Sequence, residues 1–385
     1  MRVILEAQYA CNPTPRGIPV YTAQLIRHLL KRQANDYALT FFDKDKERNN
    51  RQYVDKYFGD FNVPLYECNS ESYRTLMSGD DVYQKKSYNE LTEAYGDVFH
   101  FMHFIPIPAR LEGKMVVTVH DLIPILHKET ILYPGLMEEK DIQYFPIWWE
   151  KLLEKQPTIV ADSEATKRDI IDYYKYENVV VVPLGYNESI YYPDYDTSVL
   201  KQLNITTPYI MYCGAIDVRK NILGILEAFK EVANDIQDIK LVLVGKKEYM
   251  YQKVLLSKIE NYKYKDRVIM PGFVSDTQKR VLMSNATAFL FPSFYEGFGL
   301  PLLEAMACGA PVITSNVSSL PEISGDAGIL VDPHDALAIA DAVKKVCVSE
   351  ELQNTMRKNS LKQTQNFSWN KTAELMEKVY RLAVN

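Results

Sequence analysis

The stretch FPSFYEGFGLPLLEAMACGAPVITSN, residues 291–316, carries the clearest structural signal in this chain. Its apolar start ends near Phe291, two glycines then permit a tight turn, and Pro301 suits the first position of a helix. Gly309, with a proline two residues later, ends that helix. The stretch therefore predicts a strand, a glycine turn and a short helix.

The predicted turn is a candidate site for an anion. A glycine turn that leads into a helix aims backbone N–H groups and the positive end of the helix dipole at one point, where a phosphate fits. Two carboxylates flank the turn, Glu296 in the loop and Glu304 in the helix, and each offers several acceptor positions to sugar hydroxyls. The alternative is that both carboxylates only favour the start of the helix.

Outside this stretch, short apolar runs alternate with segments of helical spacing, which is typical of parallel strands covered by helices on both faces. In the first half we expect strands to begin at Arg2, Val98, Met115, Thr158 and Val179. In the second half we expect them to begin at Tyr209, Lys240, Arg267, Thr287, Pro311 and Gly328. Two sheets accommodate these strands better than one, so the predicted class is α/β with two domains.

The domain boundary is expected near residues 192–207, because the segment just before and into this range is rich in Pro, Gly, Asn and Asp. The first domain would then span 1–192 and the second 208–366. Residues 53–95 are rich in Tyr and charged groups without clear periodicity, and we predict that they carry specificity rather than scaffold.

The C-terminal segment FSWNKTAELMEKVYRLA predicts an amphipathic helix within residues 367–385, with Ala373, Met376 and Val379 on one stripe. We expect this helix to return to the first domain. Trp148 and Trp149 are adjacent in another helical segment, so they point in different directions and at least one should be core.

The bulk composition is that of a folded protein, with 385 residues, 47% hydrophobic and 24% charged. The net charge is -6 and no block of Lys or Arg stands out, so nucleic acid is excluded as a partner. Five scattered cysteines indicate reduced thiols, and Glu6 breaks an N-terminal run too short for a signal peptide. We expect a cytoplasmic protein and leave open a peripheral contact with the inner face of the membrane.

The order of motifs resembles the retaining glycosyltransferases of family 4, the glycosyl transferases group 1, which include sucrose-phosphate synthase and many bacterial mannosyltransferases. The resemblance rests on EGFGLP at the head of a Glu-x7-Glu motif and covers nearly the whole chain outside residues 53–95. Its other landmarks are GIPVYTAQL (17–25), HDLIP (120–124), ADSEATKRDI (161–170), VVPLGY (181–186), CGAIDVRKNI (213–222), LVLVGK (241–246), PGFVSD (271–276) and LPEISGDAGILVDP (320–333). It implies the GT-B fold, in which an acceptor-side and a donor-side Rossmann-like domain flank a cleft and the C-terminal helix returns to the N-terminal domain.

The resemblance also implies roles for residues in the second half. Glu296 would lie beside the transferred sugar, Glu304 would hold the ribose, and Lys220 would meet the diphosphate. Many relatives carry an Arg where Ala215 stands here, and Arg219 is the candidate to supply that charge, although a Lys-Arg pair taken alone suits a solvated helix start. The remaining donor-binding residues would be Phe273, Val274, Gly297, Phe298, Gly299 and Leu300.

In the first half, Gly17 and Ile18 form another glycine turn before a helix, a candidate contact for the donor phosphates or the acceptor. Pro19 stands where relatives often have a second glycine, which restricts approach to the backbone. His120 follows a buried strand at the edge where open parallel sheets bind ligands. The resemblance places His120 near the primary hydroxyl of the sugar, as a third catalytic residue with Glu296 and Lys220, and the alternative is a histidine that only hydrogen-bonds a neighbouring loop.

The expected function is transfer of a sugar, with retained configuration, from a nucleotide diphosphate-sugar such as GDP-mannose to a saccharide or lipid-linked acceptor in cell-surface glycan synthesis. The resemblance implies that the leaving phosphate helps to take the acceptor proton, and no protein nucleophile is identifiable. We expect no cofactor besides the nucleotide-sugar co-substrate and no metal, because we expect no Asp-x-Asp pair in a loop after a strand and no His or carboxylate cluster with the spacing of metal ligands. Lys220, Arg219 and the helix end after Gly299 can balance the diphosphate instead.

Two other functions remain open on this architecture. One is a nucleotide-sugar epimerase or hydrolase, since a fold alone does not define a reaction, and the other is a non-catalytic nucleotide-sugar-binding partner. A dinucleotide-dependent dehydrogenase is excluded, because no predicted strand is followed by Gly-x-Gly-x-x-Gly.

Overall fold

The structure is a computed structural model that describes residues 1–12, 17–43, 50–69, 87–104, 108–129, 142–206, 208–245 and 249–385. The chain folds into two compact units. One consists of Met1–Leu122, Gln143–Gly185 and Trp369–Asn385, and the other of Ile123–Ile142 and Tyr186–Ser368. The boundaries inferred from composition stay predictions, as does the role of residues 53–95, of which 70–86 lie outside the described residues.

A parallel sheet of seven strands forms the centre of the first unit, in the order β3-β2-β1-β4-β5-β6-β7. Its strands are β1 (Arg2–Glu6), β2 (Asp36–Asp43), β3 (Leu65–Asn69), β4 (Val98–Phe101), β5 (Lys114–Val119), β6 (Thr158–Ala161) and β7 (Val179–Val181). Strands β1, β4 and β6 are buried over nearly their whole length, which explains their continuous apolar sequences. The five strands predicted for this half are confirmed.

Two strands of this sheet were missed by the sequence analysis. Strand β2 is bounded by Asp36 and Asp43, and polar residues at both ends shorten its apolar run. Strand β3 lies in the Tyr-rich and charged segment for which we predicted no elements. Both are found by their pairing, since β2 is parallel to β1 and β3 is parallel to β2.

The helices of the first half are α1 (Ile18–Arg32), α2 (Asn50–Phe58), α3 (Tyr88–Thr92), α4 (Ile123–Leu126), α5 (Tyr144–Leu153) and α6 (Glu164–Tyr174). On α5, Trp149 is fully buried and Trp148 is partly exposed, which confirms that at least one of the pair is core. Among the described residues, no helix combines the length and the apolar character needed to cross a membrane.

A parallel sheet of six strands forms the centre of the second unit, in the order β10-β9-β8-β11-β12-β13. Its strands are β8 (Tyr209–Cys213), β9 (Lys240–Val244), β10 (Val268–Gly272), β11 (Ala288–Phe291), β12 (Val312–Ser315) and β13 (Gly328–Val331). All six predicted strands are confirmed within one residue at their starts. The helices are α7 (Ser198–Gln202), α8 (Ile222–Asp235), α9 (Tyr249–Glu260), α10 (Asp276–Asn285), α11 (Leu300–Ala307), α12 (Leu320–Ser324), α13 (Ala336–Cys347) and α14 (Glu350–Thr364).

The last helix, α15 (Trp369–Val384), belongs to the first unit. Its predicted apolar stripe is buried there. Two polar contacts orient it: Glu377 accepts a hydrogen bond from Arg32 of α1 at 2.8 Å, and the hydroxyl of Tyr380 lies 2.8 Å from Nδ1 of His100 in β4. The helix therefore closes the core of the unit that begins with residue 1.

Each sheet has one point at which the strand order reverses. The reversal lies between β1 and β4 in the first sheet and between β8 and β11 in the second. Connections that leave two neighbouring strands at such a point turn to opposite faces, which opens a crevice at the carboxyl ends of those strands. In the second unit, the loops after β8 and β11 meet at this crevice.

Candidate active site

The loop after β8 positions Arg219 and Lys220. A 3-10 turn covers Val218–Lys220, and the Asp217 side chain caps it by accepting a hydrogen bond from the Lys220 backbone N–H at 3.1 Å. Asn221 has a φ of 57°, and its side chain accepts from Gly224 N–H at 3.2 Å and so starts α8. The same Asn221 side chain donates to the carbonyl of Pro292 at 3.1 Å, which ties this loop to the loop after β11.

The loop after β11 positions Glu296. Its backbone N–H donates to the Ser318 hydroxyl at 3.0 Å. The Ser319 hydroxyl donates to the carbonyl oxygens of Glu296 at 3.0 Å and Phe298 at 2.7 Å. Two serines of the neighbouring loop thus hold the conformation in which the Glu296 carboxylate faces the loop after β8.

Arg219, Lys220 and Glu296 form a buried charge cluster. Nη1 of Arg219 lies 2.8 Å from Oε2 of Glu296 and also donates to the Tyr295 carbonyl at 2.8 Å. Nζ of Lys220 forms an ion pair with Oε1 of Glu296. Lys220 is 7% exposed and Glu296 is 6% exposed, so water screens these charges little. The structure therefore brings together three of the residues that the sequence analysis selected.

The charges within the cluster shift the pKa values of its members. Burial alone would raise the pKa of the Glu296 carboxyl, but Arg219 and Lys220 outweigh burial and lower the pKa to about 2. Burial and the like charge of Arg219 lower the pKa of Lys220 despite the attraction of Glu296. Because Glu296 faces two cations, one cation can turn to a bound anion without leaving the carboxylate unpaired.

The glycine turn that opens α11 requires its glycine. Gly299 has a φ of 110°, which side chains rarely adopt, and a Cβ there would come within 2.9 Å of Cδ2 of Leu320. The helix begins at Leu300, so Pro301 is its second residue rather than its first. The predicted sequence of strand, glycine turn and short helix is confirmed.

Glu304 pairs with a residue that the sequence analysis missed. Nζ of Lys279, on α10, forms an ion pair with Oε2 of Glu304, on α11. Lys279 also donates to the hydroxyl of Tyr191 at 3.0 Å. Burial alone would lower the pKa of Lys279, but the Glu304 carboxylate outweighs it and raises the pKa well above its ordinary value. The only signal for this pair in the sequence was a lysine at the start of a helix, which usually faces solvent.

Phe273 and Val274, between β10 and α10, differ in exposure. Phe273 is 73% exposed, whereas Val274 is 7% exposed. The Ser275 side chain caps α10 through a hydrogen bond from Gln278 N–H at 3.2 Å, so the loop that carries both residues has a defined end. The roles of Phe273 and Val274 in donor binding stay predictions.

Three predicted site residues lie on the first unit. Gly17 has a φ of 56° and caps α1, which begins at Ile18.

Nδ1 of His120 lies 2.6 Å from Oδ2 of Asp162, and Nε2 lies 3.0 Å from the Met102 carbonyl. Since both partners are acceptors, both ring nitrogens donate, and this requires the imidazolium form. Burial alone would lower the pKa of His120, but the Asp162 carboxylate outweighs burial and raises it.

The contacts of His120 are those of the stated alternative, a histidine that hydrogen-bonds neighbouring loops, and its place near the sugar stays a prediction. Both of its nitrogens are engaged by the first unit itself, through a carboxylate that follows β6 and a carbonyl that follows β4. In this state the ring offers positive charge rather than a free basic nitrogen. Asp162 is a second residue that the sequence analysis did not select.

Glu6, at the carboxyl end of β1, is another missed carboxyl. It is 4% exposed, and burial raises its pKa to about 8, so it is largely protonated at neutral pH. Its Oε1 atom is buried without a hydrogen-bond partner. In the sequence it appeared only as the residue that interrupts an apolar run.

The described residues contain no group of three His, Cys, Asp or Glu side chains arranged as a metal site. Two Asp-x-Asp pairs do occur. One begins at Asp43 at the end of β2, and its second member, Asp45, lies outside the described residues. The other is Asp194 with Asp196, and there Arg280 pairs with Asp194 at 2.8 Å. Independence of a metal stays a prediction.

Curated relatives match most of the chain. The chain is 29% identical over 319 residues to O-antigen chain mannosyltransferase B of Escherichia coli. The matched region covers 81% of this chain and 80% of the relative. The chain is 30% identical over 282 residues to serotype-specific mannosyltransferase WbdA of Escherichia coli. That match covers 70% of this chain and 34% of WbdA, so the chain spans about a third of the length of that relative.

Solved structures share the fold. The chain superposes on sucrose-phosphate synthase from Thermosynechococcus elongatus with a TM-score of 0.77 and 21% identity, covering 99% of this chain and 98% of the other. It superposes on Anabaena HepE in complex with UDP-glucose with a TM-score of 0.71 and 16% identity, covering 98% and 99%. Two parallel-sheet units with a C-terminal helix on the first therefore define the GT-B fold.

The family follows from the sequence. The pattern of Glycosyl transferases group 1 matches residues 198–363, and that of Glycosyltransferase Family 4 matches residues 15–189. The two matches together cover most of the chain. The protein belongs to the family-4 glycosyltransferases.

Proposed function

We propose that this glycosyltransferase moves a sugar, with retained anomeric configuration and without a metal, from a nucleotide diphosphate-sugar to a saccharide or lipid-linked acceptor. The observation that carries the proposal is the convergence of Arg219 and Lys220 on Glu296 at the strand-order reversal of the second sheet. Cations suit the diphosphate, and a carboxylate beside them suits the hydroxyls of the attached sugar.

The relatives support a mannosyl donor and a cell-surface product. The first curated relatives are mannosyltransferases, and two of them are named for the O-antigen chain. The structure of HepE with UDP-glucose supports a nucleotide-sugar donor for this fold. We therefore propose GDP-mannose or a similar donor, and cell-surface glycan synthesis as the process, with peripheral contact at the inner membrane face.

The proposed reaction breaks the bond between the anomeric carbon and the diphosphate and forms the bond to the acceptor oxygen on the same face of the sugar. The acceptor proton passes to an oxygen of the departing phosphate. Arg219, Lys220 and the N-terminal end of α11 would stabilise the charge that develops on the leaving group. Glu296 would hold the sugar and keep both cations in place. His120 would add positive charge on the acceptor-side unit.

We expect Glu296→Gln to reduce transfer about a hundredfold or more while nucleotide affinity stays within about tenfold, because the lost charge matters most in the transition state. Steady-state kinetics with GDP-mannose and an alkyl mannoside measure the first quantity, and calorimetry with GDP measures the second. The exposed Glu374→Gln is the matched control. Near-normal turnover of Glu296→Gln removes Glu296 from catalysis, and an inverted linkage in the product, read by NMR, contradicts retention.

We expect transfer to survive saturating EDTA, because two side-chain cations can contribute several kcal/mol to the charge balance, at about 4 kcal/mol per charge at 4 Å with an effective dielectric of about 20. Lys220→Ala should weaken donor binding and slow transfer together. Lys344→Ala, on α13 of the same unit, is the control. Activity that EDTA abolishes and manganese restores, together with an active Lys220→Ala, would show that a metal does this work. Nucleotide binding without transfer or hydrolysis would indicate the non-catalytic binding partner instead.

A further inference from the structure

Tyr191, Lys279 and Glu304 form a polar triad on the second unit. Lys279 pairs with Oε2 of Glu304 and donates to the Tyr191 hydroxyl at 3.0 Å, and its ammonium also lies 4.8 Å from the centre of the Tyr191 ring. The Tyr191 hydroxyl in turn donates to Asp276 at 3.3 Å. The side chains of Lys279 and Glu304 are 18% and 15% exposed, so they are held firmly but are still reached from outside the protein.

The triad leaves one donor and one acceptor unused. A lysine ammonium has three N–H groups, and the described residues engage two of those on Lys279, through Glu304 and Tyr191. Among the described residues, no group donates a hydrogen bond to Oε1 of Glu304. This oxygen is not fully buried, so a ligand can reach it. A positively charged donor and a negatively charged acceptor therefore lie next to each other at an accessible position.

We propose that Lys279 is a specificity-determining residue that, with Glu304, reads the two neighbouring hydroxyls of the nucleotide ribose. One hydroxyl donates to Oε1 of Glu304, and the other accepts from Nζ of Lys279. The inference rests on the proposed function, with Glu304 at the ribose as the family resemblance implies. It adds a residue and a mode of recognition, since a donor and an acceptor held side by side require both members of the diol.

The ion pair makes this recognition stringent. Lys279 fixes the carboxylate of Glu304 through Oε2, so only one carboxylate oxygen remains for the ligand. A ligand that lacks either hydroxyl leaves a charged group without its partner in a largely buried position, and such a loss costs more than the loss of a neutral hydrogen bond. The alternative is that Lys279 only neutralises Glu304 and supports the packing of α10 against α11.

Calorimetric titration with GDP and UDP, each compared with its 2′-deoxy and 3′-deoxy forms, tests the assignment. We expect the unaltered protein to prefer the ribose form of the nucleotide it binds by about tenfold or more over either deoxy form. Glu304→Gln should keep part of this preference, because Lys279 still donates. The double variant Lys279→Met with Glu304→Gln should bind all three forms within about threefold of one another.

The double variant is also less prone to misfold than Lys279→Met alone. Lys279→Met alone would leave Glu304 as an unpaired buried carboxylate, whereas the double variant is neutral and similar in size. Lys344→Met should behave as the unaltered protein. If the double variant discriminates as strongly as Glu304→Gln alone, Lys279 has a structural role and this inference is wrong while the proposed function stands. If neither GDP nor UDP binds the unaltered protein, the proposed function fails and the inference fails with it.

Discussion

Glu296 is buried and His120 is partly buried, and in each an oppositely charged neighbour favours the ionised form. Glu296 is ionised because Arg219 and Lys220 lower its pKa to about 2. His120 is protonated because Asp162 and the Met102 carbonyl accept from its two nitrogens. In each case a residue distant in sequence decides the charge state, as happens where buried groups share hydrogen bonds.

We expect Asp162→Asn to lower the pKa of His120, because burial then acts without the opposing carboxylate. A group whose folded pKa lies above its ordinary value of 6.5 stabilises the fold below that value and loses this contribution as pH rises through the folded pKa. The stability difference between the two proteins should therefore shrink at high pH. NMR titration of the His120 ring measures the shift, and an unchanged titration would show that Asp162 does not control it.

Among the elements, the turn before α11 combines a backbone and a packing requirement. The φ of Gly299 favours glycine, and the neighbouring Leu320 is fully buried and leaves no room for a Cβ. Gly272, at the end of β10, has a φ of 81°, but no atom lies within 4 Å of the position that a Cβ would take, so it shares only the first requirement. A comparison of alanine variants at the two positions therefore separates the cost of backbone strain from the cost of crowding.

We expect Gly299→Ala to lower the free energy of unfolding by more than Gly272→Ala. The positive φ should cost about 1–2 kcal/mol in both variants, and crowding against Leu320 should add about 1–3 kcal/mol in the first. Urea unfolding of both variants gives the two values. Equal values would mean that Leu320 moves aside without cost.

At the scale of the whole molecule, helix α15 brings the last residues of the chain into contact with earlier ones. Arg32 of α1 pairs with its Glu377, and Thr372 donates to the Pro183 carbonyl at 2.8 Å, so residues from the start, the middle and the end of the sequence share one core. The last residues therefore stabilise the unit that begins with the first ones.

We expect Met376→Ala to destabilise the first unit by about 2–5 kcal/mol, the usual cost of a cavity at a fully buried site. Leu382→Ala on the same helix is the matched control, because Leu382 is 62% exposed. Differential scanning calorimetry should show a lower transition for one unit only. A shift of both transitions by the same amount would indicate that the units unfold together.

The sequence predicted more of the strands than of the contacts at the site. The strands that are buried on both faces were predicted, because a buried parallel strand needs a continuous apolar run. Strands β2 and β3 were not, because polar residues interrupt their runs and only the neighbouring strands define them. Lys279, Asp162 and Glu6 were missed for a related reason, since their contacts and their burial depend on residues far away in the sequence.

By itself, the sequence determined the α/β class, eleven strands, the glycine turn, the terminal helix and the family. These depend on local periodicity, on backbone conformations open only to glycine and on motif order, all of which can be read along the chain. Only the tertiary structure decided that Arg219 and Lys220 share Glu296, that Lys279 pairs with Glu304, and that Asp162 pairs with His120. Charge states and ion pairs depend on burial and on distances of a few ångström between residues far apart in sequence, because electrostatic energy is set by separation and local polarity.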